Sequence, residues 1–282
     1  MNYVLFLVLG AAGYLLASVF YCAYMLKTKH REQIAFLHAG RLAGVLAIVF
    51  QTTAIGIRCV HLHHTPISTG PEAFSATAWA ITVLYFGLEI FNWKKPPAAI
   101  GAVAFPLAFL SMFTGSTLSS KQTPMSSGHI RLLDSSLVSL HILAIIFSFG
   151  LLTLAVSCSL LYLIEHRLLK QKRFGGPLFR KLPPLATVDH LAFSLVCLAF
   201  PLLSLGIIAG CIRALSFPSP VYLWAFDPPT FAAFACWAIY GFYLWAHATA
   251  NWQGIRANYL ILAGLIIVII TFFVPSHLHR FS

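Results

Sequence analysis

The length of the apolar segments limits this chain more than any other feature. Eight stretches, at residues 3–25, 34–57, 75–91, 98–116, 137–164, 190–214, 230–248 and 257–275, are mainly apolar and nearly free of charge. A helix rises 1.5 Å per residue, so about 20 such residues cross a hydrocarbon core of about 30 Å. The reading is therefore an all-α, polytopic integral membrane bundle of about eight transmembrane helices. Composition agrees: 59% of the 282 residues are hydrophobic and 9% are charged, against about 25% charged in soluble domains. The mean hydropathy is +0.85. The first stretch has no basic residues before it and is not read as a signal peptide. No loop is long enough for a soluble domain and no internal repeat is evident, so residues 1–282 read as one membrane domain.

The net charge of +11 does not point to nucleic acid. In a membrane chain, Lys and Arg gather in cytoplasmic loops beside anionic lipid, so the lipid bilayer accounts for the basic balance. One set of alternate loops carries Lys27, Lys29, Arg31, Lys94, Lys95, Arg167, Lys170, Lys172, Arg173, Arg180, Lys181 and Arg256. The other carries only Arg58, Lys121, Arg131, Arg213 and Arg280. This asymmetry predicts both termini outside and a cytoplasmic loop at 167–181. The aromatic loop at 219–230 then faces outward. The six cysteines, Cys22, Cys59, Cys158, Cys197, Cys211 and Cys236, are scattered with no CxxC or CxxCH spacing. They read as small apolar residues, with neither a disulfide framework nor covalent haem attachment.

Polar side chains are costly in a bilayer and face the bundle interior. His141 lies about one turn inside the outer end of the fifth span, and His277 and His279 follow the eighth. His247 lies near the cytoplasmic end of the seventh span and His38 near that of the second. Neutral imidazole is a good axial ligand for haem iron and also a zinc ligand. Trp224, Phe226, Trp237, Tyr240 and Trp245 could line a haem, and Arg41, Arg58 or Arg213 could meet its carboxylates.

Plainer readings stand beside these. A membrane histidine also serves as a helix-packing hydrogen bonder. The aromatic loop also reads as an interfacial belt, and Asp227-Pro228-Pro229-Thr230 as an ordinary helix start. His61, His63 and His64 have no defined helical face as a zinc motif. Glu89 is the one clear acid buried in a span, and no inverted repeat appears, which argues against a small-molecule transporter.

Several stretches, in order, resemble the CcsA/ResC-type cytochrome c assembly proteins. His63-His64-Thr65-Pro66-Ile67-Ser68, with Glu72 and Trp79 after it, is similar to that family's outer-loop pattern. Leu140-His141 through Tyr162-Leu163 resembles the span bearing its first outer haem histidine. Pro183-Pro184-Leu185-Ala186-Thr187-Val188-Asp189 resembles its P-P-L-E-T-L-D linker. The stretch from Phe200-Pro201-Leu202-Leu203 to Gly206 and Gly210 resembles its G-F-P-L-L-T-L-G-I segment. Trp224-Ala225-Phe226-Asp227-Pro228 is similar to the end of its tryptophan-rich box. His247 with Trp252-Gln253-Gly254, and His277-Leu278-His279-Arg280-Phe281, resemble its later histidine segments. The resemblance is strongest over residues 40–282.

The resemblance implies a haem-handling protein of the bacterial inner membrane, with haem b bound non-covalently and no independent catalysis. Haem would be presented or exported at the outer face for attachment to apocytochrome c, beside a CcsB/ResB-like membrane partner. Carried over by position, His141 and His279 are the axial ligands, Trp224, Phe226 and Asp227 belong to the haem-binding box, and His247 serves a deeper site. This chain departs from the pattern in the box. No tryptophan lies between Arg213 and Trp224, and Phe226 stands where the family has its last box tryptophan. A shorter, HemX-like or YpjD-like branch therefore offers an alternative: a membrane regulator of haem biosynthesis, acting on glutamyl-tRNA reductase levels and lacking synthase activity.

Overall fold

The computed structural model describes residues 3–62, 70–91, 98–119, 136–172, 176, 178–215 and 228–273. Among these, eight α-helices follow the eight apolar stretches one for one: α1 (Tyr3–Leu26), α2 (His30–Leu62), α3 (Gly70–Phe91), α4 (Ala98–Ser119), α5 (Ser136–Lys170), α6 (Leu185–Leu215), α7 (Pro228–Ala250) and α8 (Ile255–Phe273). Among the described residues of the α5–α6 connection, Phe179–Lys181 form a 3-10 turn. No strand occurs among the described residues. Seven of the helices are long and apolar enough to cross a membrane, and α8 adds a 19-residue apolar helix. The protein is thus a multi-pass helical membrane protein.

Several helices outrun their apolar stretch. α2 starts at His30, ahead of Arg31 and Glu32, and α5 continues to Lys170, because a polar or charged side chain at a helix end can reach water while its backbone stays hydrogen-bonded. Pro106 and Pro201 lie inside α4 and α6 without ending them, as membrane helices allow when neighbours satisfy the freed carbonyl.

The chain divides into two compact units, residues 1–133 with 164–187, and residues 134–163 with 188–282. In the first unit α1 packs along α2 and α4, and α3 along α4. Between membrane helices there is little hydrophobic gain, so close backbone approach and polar contacts hold them. A Cβ at Gly13 would lie 2.8 Å from that of Ala47, and one at Gly44 would lie 2.7 Å from the Phe105 ring. Tyr21 stacks on Phe105 at 5.0 Å, and Tyr85 meets Tyr21 edge-on at 5.7 Å.

Three polar links stitch the same helices. Arg41 on α2 donates to both carboxylate oxygens of Glu89 on α3 at 3.2–3.3 Å, and Tyr85 donates to Glu89 at 3.0 Å. Tyr14 on α1 donates to Gln51 Oε1, while Gln51 Nε2 donates to the Ser75 carbonyl at 2.6 Å. Arg58 on α2 pairs with Glu72 on α3 at 2.5 Å. Glu89 is not the only buried acid, contrary to expectation: Glu165, in the last turns of α5, is equally buried at 7% exposure. Its position near a helix end hid it, because a sequence does not show whether such a side chain turns inward. Lys181 donates to the carbonyls of Tyr24 and Lys27, capping the C-terminal end of α1 as a cation suits that end of the helix dipole. At least this one cation of the basic loop has a structural task beyond orientation.

In the second unit, α5 is tied to α6 by Ser148 Oγ donating to the Ala199 carbonyl at 3.0 Å. α7 is tied to α8 by Tyr240, whose hydroxyl donates to the Ile261 carbonyl at 3.1 Å. Gly264 leaves room for that ring, since a Cβ there would lie 2.6 Å from it. The tight turn between α7 and α8 holds Asn251 and Gly254 at φ 49° and 74°, a region that suits asparagine and glycine. Asp189 on α6 locks this turn, accepting from Asn258 Nδ2 at 2.7 Å and from the Gly254 amide at 3.3 Å. Asn258 is fully buried. Asp189→Ala leaves its amide short of an acceptor and is expected to cost about 1–3 kcal/mol. A lower thermal unfolding midpoint in detergent, with Asp189→Asn falling between, checks this.

Candidate functional site

His141 is in the second turn of α5, and α6 forms its seat. Its Nδ1 lies 2.6 Å from the Gly206 carbonyl oxygen. A carbonyl can only accept, so Nδ1 carries the proton and donates it. In the neutral ring the lone pair then resides on Nε2. This is how a metal-ligating histidine is commonly oriented: one nitrogen is held by a backbone carbonyl, and the other is left to coordinate.

Two glycines build that seat. A Cβ at Gly210 would lie 2.8 Å from both Cε1 and Nδ1 of His141, so the imidazole occupies the space a side chain would take. One turn earlier, a Cβ at Gly206 would lie 2.7 Å from Ile145 Cδ1, so the missing side chain lets α5 approach α6. The i, i+4 spacing puts both glycines on one face, the small-residue stripe by which membrane helices approach closely. Their sequence signal, Gly-x-x-x-Gly in an apolar run, was present, but it did not say which side chain would fill the gap.

His247, near the C-terminal end of α7, stacks flat on Phe193 of α6 at 3.9 Å between ring centroids, with an interplanar angle of 15°. Tyr243 lies beside this pair, 6.1 Å from His247 and 6.5 Å from Phe193 between centroids. Phe193 is one turn beyond Asp189, so the lock on the α7–α8 turn sits at the same end of α6. From Phe193 to Gly206 and Gly210 is roughly 20–25 Å along the helix at 1.5 Å per residue. His141 and His247 are therefore at opposite ends of α6 and are not brought together.

Of the remaining sequence candidates, His279, Trp224, Phe226 and Asp227 lie outside the described residues, as do His63 and His64. Tyr240 is a buried packing residue, not a free ring face. Trp237 stacks on Phe200 at 5.7 Å and donates to Ser204. Arg41 and Arg58, considered as partners for a cofactor's carboxylates, are engaged by Glu89 and Glu72 instead. Acids 48 and 14 residues away in sequence gave no warning of that pairing. Among the described residues no three His, Cys, Asp or Glu side chains gather as a metal cluster. The imidazole of His141, oriented by a backbone carbonyl, is of the donor type that serves as an axial ligand to haem iron, which takes its protein ligands one at a time and not as a chelating cluster.

Comparison with known proteins bears on this arrangement. Relatives include the cytochrome c biogenesis protein CcsA of Guillardia theta, 27% identical over 257 residues, covering 84% of this chain and 83% of the relative. CcsA of Prochlorococcus marinus (strain NATL2A) is 25% identical over 256 residues, covering 82% of this chain and 80% of that one. Protein HemX of Bacillus subtilis (strain 168) is 26% identical over 256 residues, covering 88% and 90%. Residues 67–279 match the family described as cytochrome C assembly protein, a span that includes His141, the glycine seat, His247 and His279. With well over half of its length matched, the chain belongs to the cytochrome C assembly protein family.

Proposed function

We propose that the protein binds haem and presents or exports it at the outer face of a bacterial inner membrane for attachment to apocytochrome c. Family membership supports a role in cytochrome c biogenesis. The observation that carries the finer reading is the imidazole of His141, held through Nδ1 by the Gly206 carbonyl with Nε2 left as its coordinating atom. His279 is the second axial ligand in this reading, with Trp224, Phe226 and Asp227 lining the site from the loop before α7. His247, stacked on Phe193 at the other end of α6, serves the deeper site through which haem b, the non-covalent cargo, passes outward. Both termini then face outward, and residues 1–282 work as one membrane domain beside a CcsB/ResB-like partner.

The iron supplies Lewis acidity and the porphyrin its vinyl groups. This chain's contribution is to bind, orient and control access. His141 fixes the coordinating nitrogen, and the Gly210 gap fixes where the ring stands. No group on the chain is needed as nucleophile or base, so the protein is a handling component and not an independent catalyst.

A second reading is favoured by the HemX relative, which covers as much of the chain as the CcsA relatives do, and by the departures in the tryptophan box. In it the chain is a membrane regulator of haem biosynthesis acting on glutamyl-tRNA reductase levels. Deletion of the gene separates the two. Loss of c-type cytochromes is expected for the assembly role, whereas normal cytochromes with changed haem-precursor levels establish the regulatory one.

A further inference from the structure

α1 and α4 meet around Tyr21 and Phe105. Tyr21 stacks on Phe105, and Cys22 Sγ lies 3.7 Å from the Ala102 carbonyl. Toward the start of α1 lies a cavity of about 360 Å³ lined by all four helices α1–α4, with Val4, Val8 and Ala11 from α1, Phe109, Met112 and Phe113 from α4, and further residues from α2 and α3. That volume falls in the range of about 300–1,000 Å³ usual for small-ligand sites. From Tyr3 to Ala11 the α1 wall runs about 12 Å at 1.5 Å per residue. Val4, Val8 and Phe113 are each more than half exposed, so the walls continue onto the lipid-facing surface and the cavity opens sideways into the bilayer.

The lining has two charged groups, and they sit together, with Ser75 and Ser116 among its hydroxyls. Arg58 and Glu72 share one carboxylate oxygen, with Arg58 Nε at 2.7 Å and an outer guanidinium nitrogen at 2.5 Å. The guanidinium also lies over the Tyr3 ring at 5.0 Å. In a chain of net charge +11, this rim carries one positive and one negative group. A dianionic amphiphile would meet a guanidinium already neutralised by Glu72, and an anionic headgroup would be repelled by that carboxylate. A head bearing both charges meets both with the right sign.

We propose that this cavity holds one acyl chain of a zwitterionic phospholipid, with its headgroup placed across the Arg58–Glu72 pair, phosphate toward Arg58 and ammonium toward Glu72. The site is independent of the haem reading. The lipid fills a gap that would otherwise leave apolar walls without contact atoms.

Native mass spectrometry of the full chain, purified and exchanged into mild detergent with phosphatidylethanolamine and phosphatidylglycerol in equal amounts, tests this. One phosphatidylethanolamine per chain is expected to survive, at least fivefold over phosphatidylglycerol. Ala11→Phe, which fills the cavity from α1, abolishes retention. Ala76→Leu does the same from α3 and stands in if the first variant fails to accumulate. Arg58→Gln with Glu72→Gln keeps the cavity but brings the ratio toward one. Wild-type protein retaining no lipid, retaining both lipids equally, or carrying a quinone or porphyrin in their place overturns the proposal, as does retention unchanged in both filled variants.

Discussion

Gly210→Ala is expected to strip haem from the purified protein while leaving it folded. The added methyl would stand 2.8 Å from Nδ1 and Cε1 of His141, closer than packed carbon and nitrogen atoms tolerate. The imidazole is the movable partner. It can swing aside at modest cost to stability, but in doing so it gives up the 2.6 Å bond to Gly206 that sets its tautomer and direction. Loss of such orienting contacts typically lowers metal affinity about 10–100-fold, and a fall of that size in haem retained per protein is the expected reading. Gly206→Ala is the control from the same face of α6. Its methyl would press on Ile145 and not on the histidine, so it is an overpacking change costing about 1–3 kcal/mol. It should lower the unfolding midpoint more than it alters the absorption spectrum. Equal haem loss in both would mean that the glycines set helix spacing only.

The second large effect concerns stability alone. Glu89→Ala leaves the Arg41 guanidinium and the buried Tyr85 hydroxyl without their acceptor in an apolar setting. Removing one partner of a buried pair costs about 3–5 kcal/mol, whereas replacing both with apolar groups of similar volume is often neutral. The exposure of Arg41, 32% of its side chain, places the cost at the lower end of that range. The double variant Arg41→Met, Glu89→Leu should recover most of it. Thermal unfolding in detergent reads both, and a double variant as unstable as the single one contradicts the pairing.

Much of the fold was legible in the sequence because a bilayer leaves few options. Eight apolar runs gave eight helices, and several ends run past the apolar part, as at His30, Gly70, Lys170 and Leu185. The order of short motifs also identified the family, which a match over residues 67–279 establishes. His141 was legible as a ligand type, but its seat was not. The seat is made by what Gly206 and Gly210 lack, and a sequence does not show which neighbour enters the space a missing side chain leaves. Ion pairs were illegible for a related reason. Arg41 and Arg58 looked available for a cofactor's carboxylates until the packing of α2 on α3 brought Glu89 and Glu72 to them. The same holds for Asp189, whose part in locking the α7–α8 turn depends on Asn258, 69 residues later.

The most direct test of the central claim is the absorption spectrum, oxidised and reduced, of the detergent-purified wild-type chain beside His141→Ala. The account predicts a Soret band in the wild type that is lost in the variant at equal protein yield, and partly restored by added imidazole. A variant that keeps its full haem content with an unchanged spectrum contradicts it.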